Sequence, residues 1–329
     1  MHKGLRNSIG DVPGVAVGHV TLDEKITEEE SICTGVTAIL PHGGNWFEQK
    51  TPAASFVLNG FGKTAGLVQV DELGVLESPI MLTNTFSVAA VLQGTMDYML
   101  AENPAIGDST SSLNIVVGEC NDSYLNSMRR MAVQPLHAQQ AIRKASADFT
   151  QGAVGAGKGM ICYGVKGGIG SSSRVIAHAE GQFTAGALAL TNFGRKEEIA
   201  IANWLPEHTP EQRPDGSVII IVATDAPLDS RQLKRLAKRA AIGLGRTGTH
   251  VHNGSGDIII AFSTAYTVPH EQPSPFTQLR LLRDDHELMM AGLFQGVIES
   301  TEEAVYQSLF HAETTAGRMG RIIEKGLFE

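Results

Sequence analysis

Asn253-Gly254-Ser255-Gly256-Asp257-Ile258-Ile259-Ile260-Ala261-Phe262 is the stretch on which the reading of this chain turns. Asn-Gly is the favoured pair for a two-residue hairpin turn, and residues 258–262 would be the strand that follows it. The same residues also permit chemistry. Glycine has no Cβ, so the Ser255 hydroxyl can approach the Gly254 carbonyl unobstructed. Attack there gives an ester by N→O shift, and hydrolysis of that ester leaves Ser255 as a new N-terminus. Its own α-amino group, with an ordinary pKa of about 7.7–8.0, would then be a base beside the hydroxyl. Taken by themselves, the residues favour the turn.

Outward from this strand, glycines separate short apolar runs along the whole chain, the pattern of many strands and tight turns. Strands are predicted at 12–20, 35–40, 54–58, 115–118, 186–191, 217–224 and 257–263. The run Val218-Ile219-Ile220-Ile221-Val222-Ala223 has no alternation, which predicts burial on both faces. Helical patterns cover 88–101, 136–147 and about 287–317. A further helix is capped by Asp229 or Ser230, carries Leu233, Leu236, Ala237, Ala240 and Ala241 on one face, and is expected to stop at Gly243. Its Arg231, Lys234, Arg235, Lys238 and Arg239 have the spacing of a solvated face. Strands mixed with helices indicate α/β or α+β layers, and the pattern does not choose a topology.

With 42% hydrophobic and 19% charged residues, the 329-residue chain is globular, one large or two medium domains at about 100–200 residues each. Its formal charge of −9 and the lack of a long Lys/Arg run argue against nucleic-acid partners. Cys33, Cys120 and Cys162 are odd in number and far apart, so they read as buried free thiols rather than a disulfide framework or metal pair. No apolar segment follows Met1-His2-Lys3-Gly4-Leu5-Arg6, and the run at 218–223 is far short of the ~20 residues of a membrane span. A soluble, cytoplasmic protein is expected, with no membrane partner.

Three motifs mislead. Gly152-Ala153-Val154-Gly155-Ala156-Gly157-Lys158 begins like a P-loop, but Gly159 stands where Ser or Thr should ligate magnesium. His250 and His252 would share one side of an extended segment, yet no third ligand stands at a telling distance. They read as surface or supporting histidines. Asn253-Gly254-Ser255 fits the glycosylation sequon, which carries no weight without a secretory signal.

Asp11-Val12-Pro13-Gly14-Val15-Ala16-Val17-Gly18-His19 near the start, Lys166-Gly167-Gly168-Ile169-Gly170-Ser171-Ser172-Ser173-Arg174 in the middle and the stretch around Ser255 follow one another along the chain, and in that order they resemble the DmpA-type L-aminopeptidase/D-esterase family, which includes the β-peptidyl aminopeptidases. Asp11-Val12-Pro13-Gly14-Val15-Ala16-Val17-Gly18-His19 is similar to the family's opening strand. Thr34-Gly35-Val36-Thr37-Ala38-Ile39-Leu40-Pro41, Asn59-Gly60-Phe61-Gly62-Lys63-Thr64-Ala65-Gly66 and Pro79-Ile80-Met81-Leu82-Thr83-Asn84-Thr85 follow in family order. Gly157-Lys158-Gly159-Met160-Ile161-Cys162 precedes the glycine-rich signature Lys166-Gly167-Gly168-Ile169-Gly170-Ser171-Ser172-Ser173-Arg174, which disposes of the P-loop. The stretch around Ser255 then corresponds to a processing site.

The resemblance implies a single domain over 1–329, a four-layer αββα sandwich. Its layers are like those of the Ntn hydrolases and the ornithine acetyltransferase group, with connectivity unlike the Ntn hydrolases. It implies self-cleavage between Gly254 and Ser255 into 1–254 and 255–329, which stay together and assemble into homo-oligomers of such heterodimers, without metal or organic cofactor. Substrates are expected to be small peptides, amides or esters with a free amine.

Ser255 corresponds to the nucleophile of an acyl-enzyme mechanism. Asn192, in Leu190-Thr191-Asn192-Phe193-Gly194, corresponds to an oxyanion-hole donor, although alone it reads as a turn asparagine. Glu119, with Val117 in Val116-Val117-Gly118-Glu119-Cys120-Asn121-Asp122, corresponds to the site that holds the substrate's amino group. Alone, Glu119 reads as an exposed loop acid. Thr301 and Glu303 correspond to a hydroxyl and a carboxylate around the nucleophile, with threonine where some relatives have serine. By pattern they form a helix N-terminus. The stretches 195–216 and 269–283 are expected to be pocket rims or oligomer contacts. Two rival readings are an acyltransferase of the ornithine acetyltransferase type, which cleaves before threonine, and an idle scaffold of the same fold.

Overall fold

The apolar run 218–223 is a central strand, and the computed structural model, which describes residues 1–178, 181–201, 216–272 and 274–326, shows why it does not alternate. The main strands are β1 (Ala16–Lys25), β2 (Ser31–Leu40), β3 (Gln49–Gly60), β4 (Ile80–Asn84), β5 (Val116–Cys120), β6 (Ile169–His178), β7 (Gly181–Asn192), β8 (Ser217–Thr224) and β9 (Gly256–Ser263). The helices are α1 (Leu67–Leu73), α2 (Val88–Glu102), α3 (Pro135–Arg143), α4 (Ser230–Arg246) and α5 (Glu287–Phe310). One sheet has the order β1-β2-β4-β5. The other has β3-β9-β8-β7-β6, with the two-residue strands Val75–Leu76 and Val268–Pro269 paired to β3. Pairs β4–β5 and β8–β9 are parallel; the remaining long pairs are antiparallel.

Three apolar cores separate four layers. Val218, Ile220 and Val222 of β8 pack outward with Ile259 and Ala261 of β9 against Leu233, Leu236, Ala237 and Ala240 of α4 and Leu293, Val297 and Val305 of α5. The alternate residues Ile219 and Ile221, with Ile258 and Ile260, face the other sheet and meet Val17, Ile39, Leu82 and Val116. That smaller sheet buries Val36, Ala38, Met81 and Val117 against Val91 and Met99 of α2 and Ala138 and Ile142 of α3. A strand between two apolar layers must be apolar at both parities, which is the sequence pattern seen. The four-layer αββα fold is therefore present.

Several boundaries differ from the sequence reading: the helices expected at 136–147 and about 287–317 end at Arg143 and Phe310, and the strands expected at 12–20 and 54–58 span Ala16–Lys25 and Gln49–Gly60. Asp229 caps α4, accepting the Gln232 N–H, but the helix runs past Gly243 to Arg246. Gly243 is instead where α5 crosses: a Cβ there would lie 2.4 Å from the Ile298 carbonyl oxygen and 2.9 Å from Thr301 Cβ. Likewise Thr301 and Glu303 do not begin a helix; they lie within α5, which starts about four turns before them at Glu287. Strand β6, not predicted, carries Ser171, Ser172 and Ser173 fully buried. Their hydroxyls are matched by the N-terminal segment: Ser171 accepts the Ile9 N–H, Ser172 donates to Asn7 and Ser173 to Asp11. Residues 202–215 of the expected rim at 195–216 lie outside the described residues.

Candidate active site

The N-terminal end of β9 sits between β3 and β8, and there Gly256 pairs with Gly60 on one side and Ser217 on the other. Ser217 in turn pairs with Asn192 of β7. Strands lie about 4.8 Å apart, so the register brings Asn192 to the same end of the sheet as Ser255, two strands away. The Asn192 amide is oriented from both sides: Nδ2 donates to the Asn121 carbonyl at 2.9 Å and Oδ1 accepts the Ile161 N–H at 3.1 Å.

Ser255 is buried, and its hydroxyl donates to Asp257 Oδ1 at 2.8 Å. Burial pushes the Asp257 carboxyl up to about 6, against the opposing hydrogen bond from Ser255 and the charge of His252. The second oxygen, Asp257 Oδ2, is buried without a hydrogen-bond partner. A register shift between Asp257 and Ile258 marks the irregularity in β9 at this point. Upstream, the Ser255 N–H closes a turn onto the His252 carbonyl at 2.9 Å. Asn59 of β3 spans this turn. Its Nδ2 lies 3.2 Å from the His252 carbonyl oxygen and 3.1 Å from that of Asn253, and it also donates to the Ser255 carbonyl. Val251, a β-branched residue, has φ +55°, a left-handed conformation such residues rarely adopt. His252 Nε2 meets Glu198 Oε1 at 2.6 Å, so this histidine belongs to the loop's anchoring.

Glu119 is no exposed loop acid. It lies on β5, buried, with Oε1 accepting the Lys63 N–H at 2.9 Å and Oε2 accepting the Thr85 hydroxyl. Carboxylate oxygens have two acceptor sites each, so capacity remains for an ammonium group. Gly62 stands between this carboxylate and the nucleophile strand: a Cβ on it would lie 3.7 Å from Glu119 Oε1 and 3.8 Å from Gly256 Cα. The backbone of β9 and the Glu119 carboxylate thus face one another across a residue with no side chain.

The other expected residues make contacts of their own. Val117 is fully buried in the core under α2 and α3, and its N–H and C=O are both taken by Ala65. These bonds fix the strand that carries Glu119. Thr301 packs beside Gly243, with its hydroxyl buried and unpartnered. Glu303 receives Lys3 Nζ at 2.6 Å, Asn7 Nδ2 at 2.8 Å and Arg174 Nη2 at 2.7 Å. Burial alone would raise its pKa, but these hydrogen bonds outweigh that and hold it at about 2. The described contacts join neither residue to Ser255. Asn59 and Asp257, conversely, escaped the sequence reading. Asp257 stands two residues after the serine and Asn59 heads a glycine-rich motif, but only the side-chain hydrogen bonds of the folded chain show that they meet Ser255.

One end of β9 thus gathers a buried serine with a carboxylate on its hydroxyl, the amide of Asn192 two strands away, and the Glu119 carboxylate beyond Gly62, all on an αββα frame. The sequence matches the model of peptidase family S58 over residues 7–323. It is 36% identical to the β-peptidyl aminopeptidase BapA of Sphingosinicella microcystinivorans, over 98% of this chain and 86% of that one. Among solved structures, the PH0078 protein of Pyrococcus horikoshii OT3 superposes with a TM-score of 0.90 at 46% identity, covering 98% and 92% of the two chains. The L-aminopeptidase D-Ala-esterase/amidase of Ochrobactrum anthropi gives 0.91 at 32% identity, with the same coverages, and is a variant of the Ntn hydrolase fold. The chain belongs to peptidase family S58 and is a serine aminopeptidase. Self-processing is implied by that fold.

Proposed function

We propose that the chain cuts itself between Gly254 and Ser255, and that the released Ser255 removes N-terminal residues from small peptides, amides or esters. The products, 254 and 75 of 329 residues in a 35.1 kDa chain, are roughly 27 and roughly 8 kDa. Ser255 attacks the acyl carbonyl to form an acyl-enzyme, with its own amine as base, and water clears the ester. Asn192 donates to the oxyanion; removing one such donor costs ~10²–10³ in turnover. Glu119 pairs with the substrate's ammonium group, which restricts cleavage to free N-termini. Val117 holds the Glu119 strand in place. Thr301 and Glu303 act as positioning residues through α5, setting the helix against α4 and against the N-terminal segment.

The observation that carries this reading is the alignment of Ser255, Asn192 and Glu119 around one end of β9. The names of the relatives support β-peptides, L-aminoacyl amides and D-alanyl esters as substrate classes. We place the enzyme in the cytoplasm, as a homo-oligomer of cleaved heterodimers. No helix among the described residues is long and apolar enough to cross a membrane.

The test is an SDS gel beside an assay on aminoacyl p-nitroanilides, including β-homo and D forms. Two bands near the stated sizes and release of p-nitroaniline are expected from the wild type. Ser255→Ala should give one band and no release. An intact wild type without amidase activity would refute the assignment, and transfer of an acetyl group without hydrolysis would point to the acyltransferase reading instead.

A further inference from the structure

We infer that Asp257 is the base that starts the self-cleavage, and that Asn59 is a positioning residue that clamps the segment being cut. The inference rests on the proposed scission at Gly254–Ser255. Before scission the Ser255 nitrogen is an amide, so the α-amino base of the mature enzyme does not yet exist. Some other group must take the hydroxyl proton. Asp257 Oδ1 is 2.8 Å from Ser255 Oγ, within the reach a proton transfer needs. Its second oxygen is buried and unpartnered, which leaves the carboxylate without the stabilising donors that would lower its basicity.

The clamp follows from the positions of the acceptors. Asn59 Nδ2 lies within hydrogen-bond distance of carbonyl oxygens on both sides of the scissile bond, His252 and Asn253 before it and Ser255 after it. Asn59 itself is fixed opposite Asp257 in the β3–β9 register. One amide therefore ties the loop to the strand that carries the base, and the reacting atoms stay in place while the peptide bond between them is exchanged.

As Ser255 Oγ bonds to the Gly254 carbonyl carbon, its proton passes to the Asp257 carboxylate. The bond from that carbon to the Ser255 nitrogen breaks, and Asp257 returns the proton to the departing nitrogen. The product is an ester between the Gly254 acyl group and Ser255 Oγ. Water then hydrolyses it, giving the Gly254 carboxylate and restoring the Ser255 hydroxyl.

The experiment follows full-length chains by intact mass, freshly purified and over a day's incubation, with a melting curve for each. Asp257→Asn keeps the shape and removes the base; its scission should be slower by ~100-fold or more. Added hydroxylamine, which captures esters, should release no 1–254 fragment from it, because the attack itself has not occurred. Asp257→Glu should restore part of the scission rate, which a purely structural role would not predict. Asn59→Ala should melt cooperatively yet retain uncut precursor. Asp257→Asn cutting at the wild-type rate, prompt hydroxylamine release from it, or a fully cut Asn59→Ala would overturn the inference while a cut wild type leaves the cleavage reading standing. An intact wild type would overturn both.

Discussion

At the scale of single residues, the site keeps a carboxylate where stability alone would not. Asp257 has its pKa raised to about 6 from 3.8, chiefly by burial, so its charged form is disfavoured in the folded chain. The sign is that of a raised acid: no penalty below the ordinary value, and the full penalty above about pH 6. Compared in uncut protein, Asp257→Asn added to Ser255→Ala should therefore raise stability at pH 8 by on the order of 2–3 kcal/mol. The gain should vanish near pH 3, as denaturant melts at the two pH values will show. Glu303 has the opposite sign. Held at about 2 by Lys3, Asn7 and Arg174, it stabilises above the ordinary glutamate range and loses that contribution as pH falls through about 2. Glu303→Gln should destabilise at pH 7, with the difference from wild type closing between pH 4.5 and 2. Ser255, Asn192 and Glu119 can be singled out in the sequence because each sits in a stretch that resembles the family's. Asn59 cannot be, because its hydrogen bonds reach across 196 positions to Ser255, and no local pattern encodes such a partner.

At the scale of elements, legibility followed periodicity and caps. Strand β8 announced itself by six apolar residues in a row, and α4 by its Asp229 cap and one apolar face. Strand β6 did not, because a run of serines has neither β-branched side chains nor alternation. Its serines are matched by partners on the distant N-terminal segment. Gly243 looked like a helix stop because glycine costs a helix about 1 kcal/mol relative to alanine. It is an interior residue chosen for the approach of α5. Gly243→Ala should consequently destabilise, by about 1–3 kcal/mol of overpacking despite the better helix propensity. A rise in melting temperature for this variant would show that the two helices can part without cost.

At the scale of the whole molecule, three cores stacked between four layers explain how a chain cut once can remain one body. Residues 255–329 supply β9, flanked on both sides by strands of 1–254, and α5, which covers β6 and β7. Removing the smaller fragment would expose the middle of the larger sheet. Gel filtration in native buffer should therefore carry both fragments in one peak, separating only in denaturant; a free 8 kDa species (roughly, by chain fraction) would contradict this. The layer order was not derivable from periodicity, since alternating burial fixes faces but not which sheet a face meets. The most direct test of the account is N-terminal sequencing of catalytically active protein. A second sequence beginning Ser255-Gly256-Asp257-Ile258 beside that of the original N-terminus is predicted. Full activity from material that yields the original N-terminus alone would contradict it.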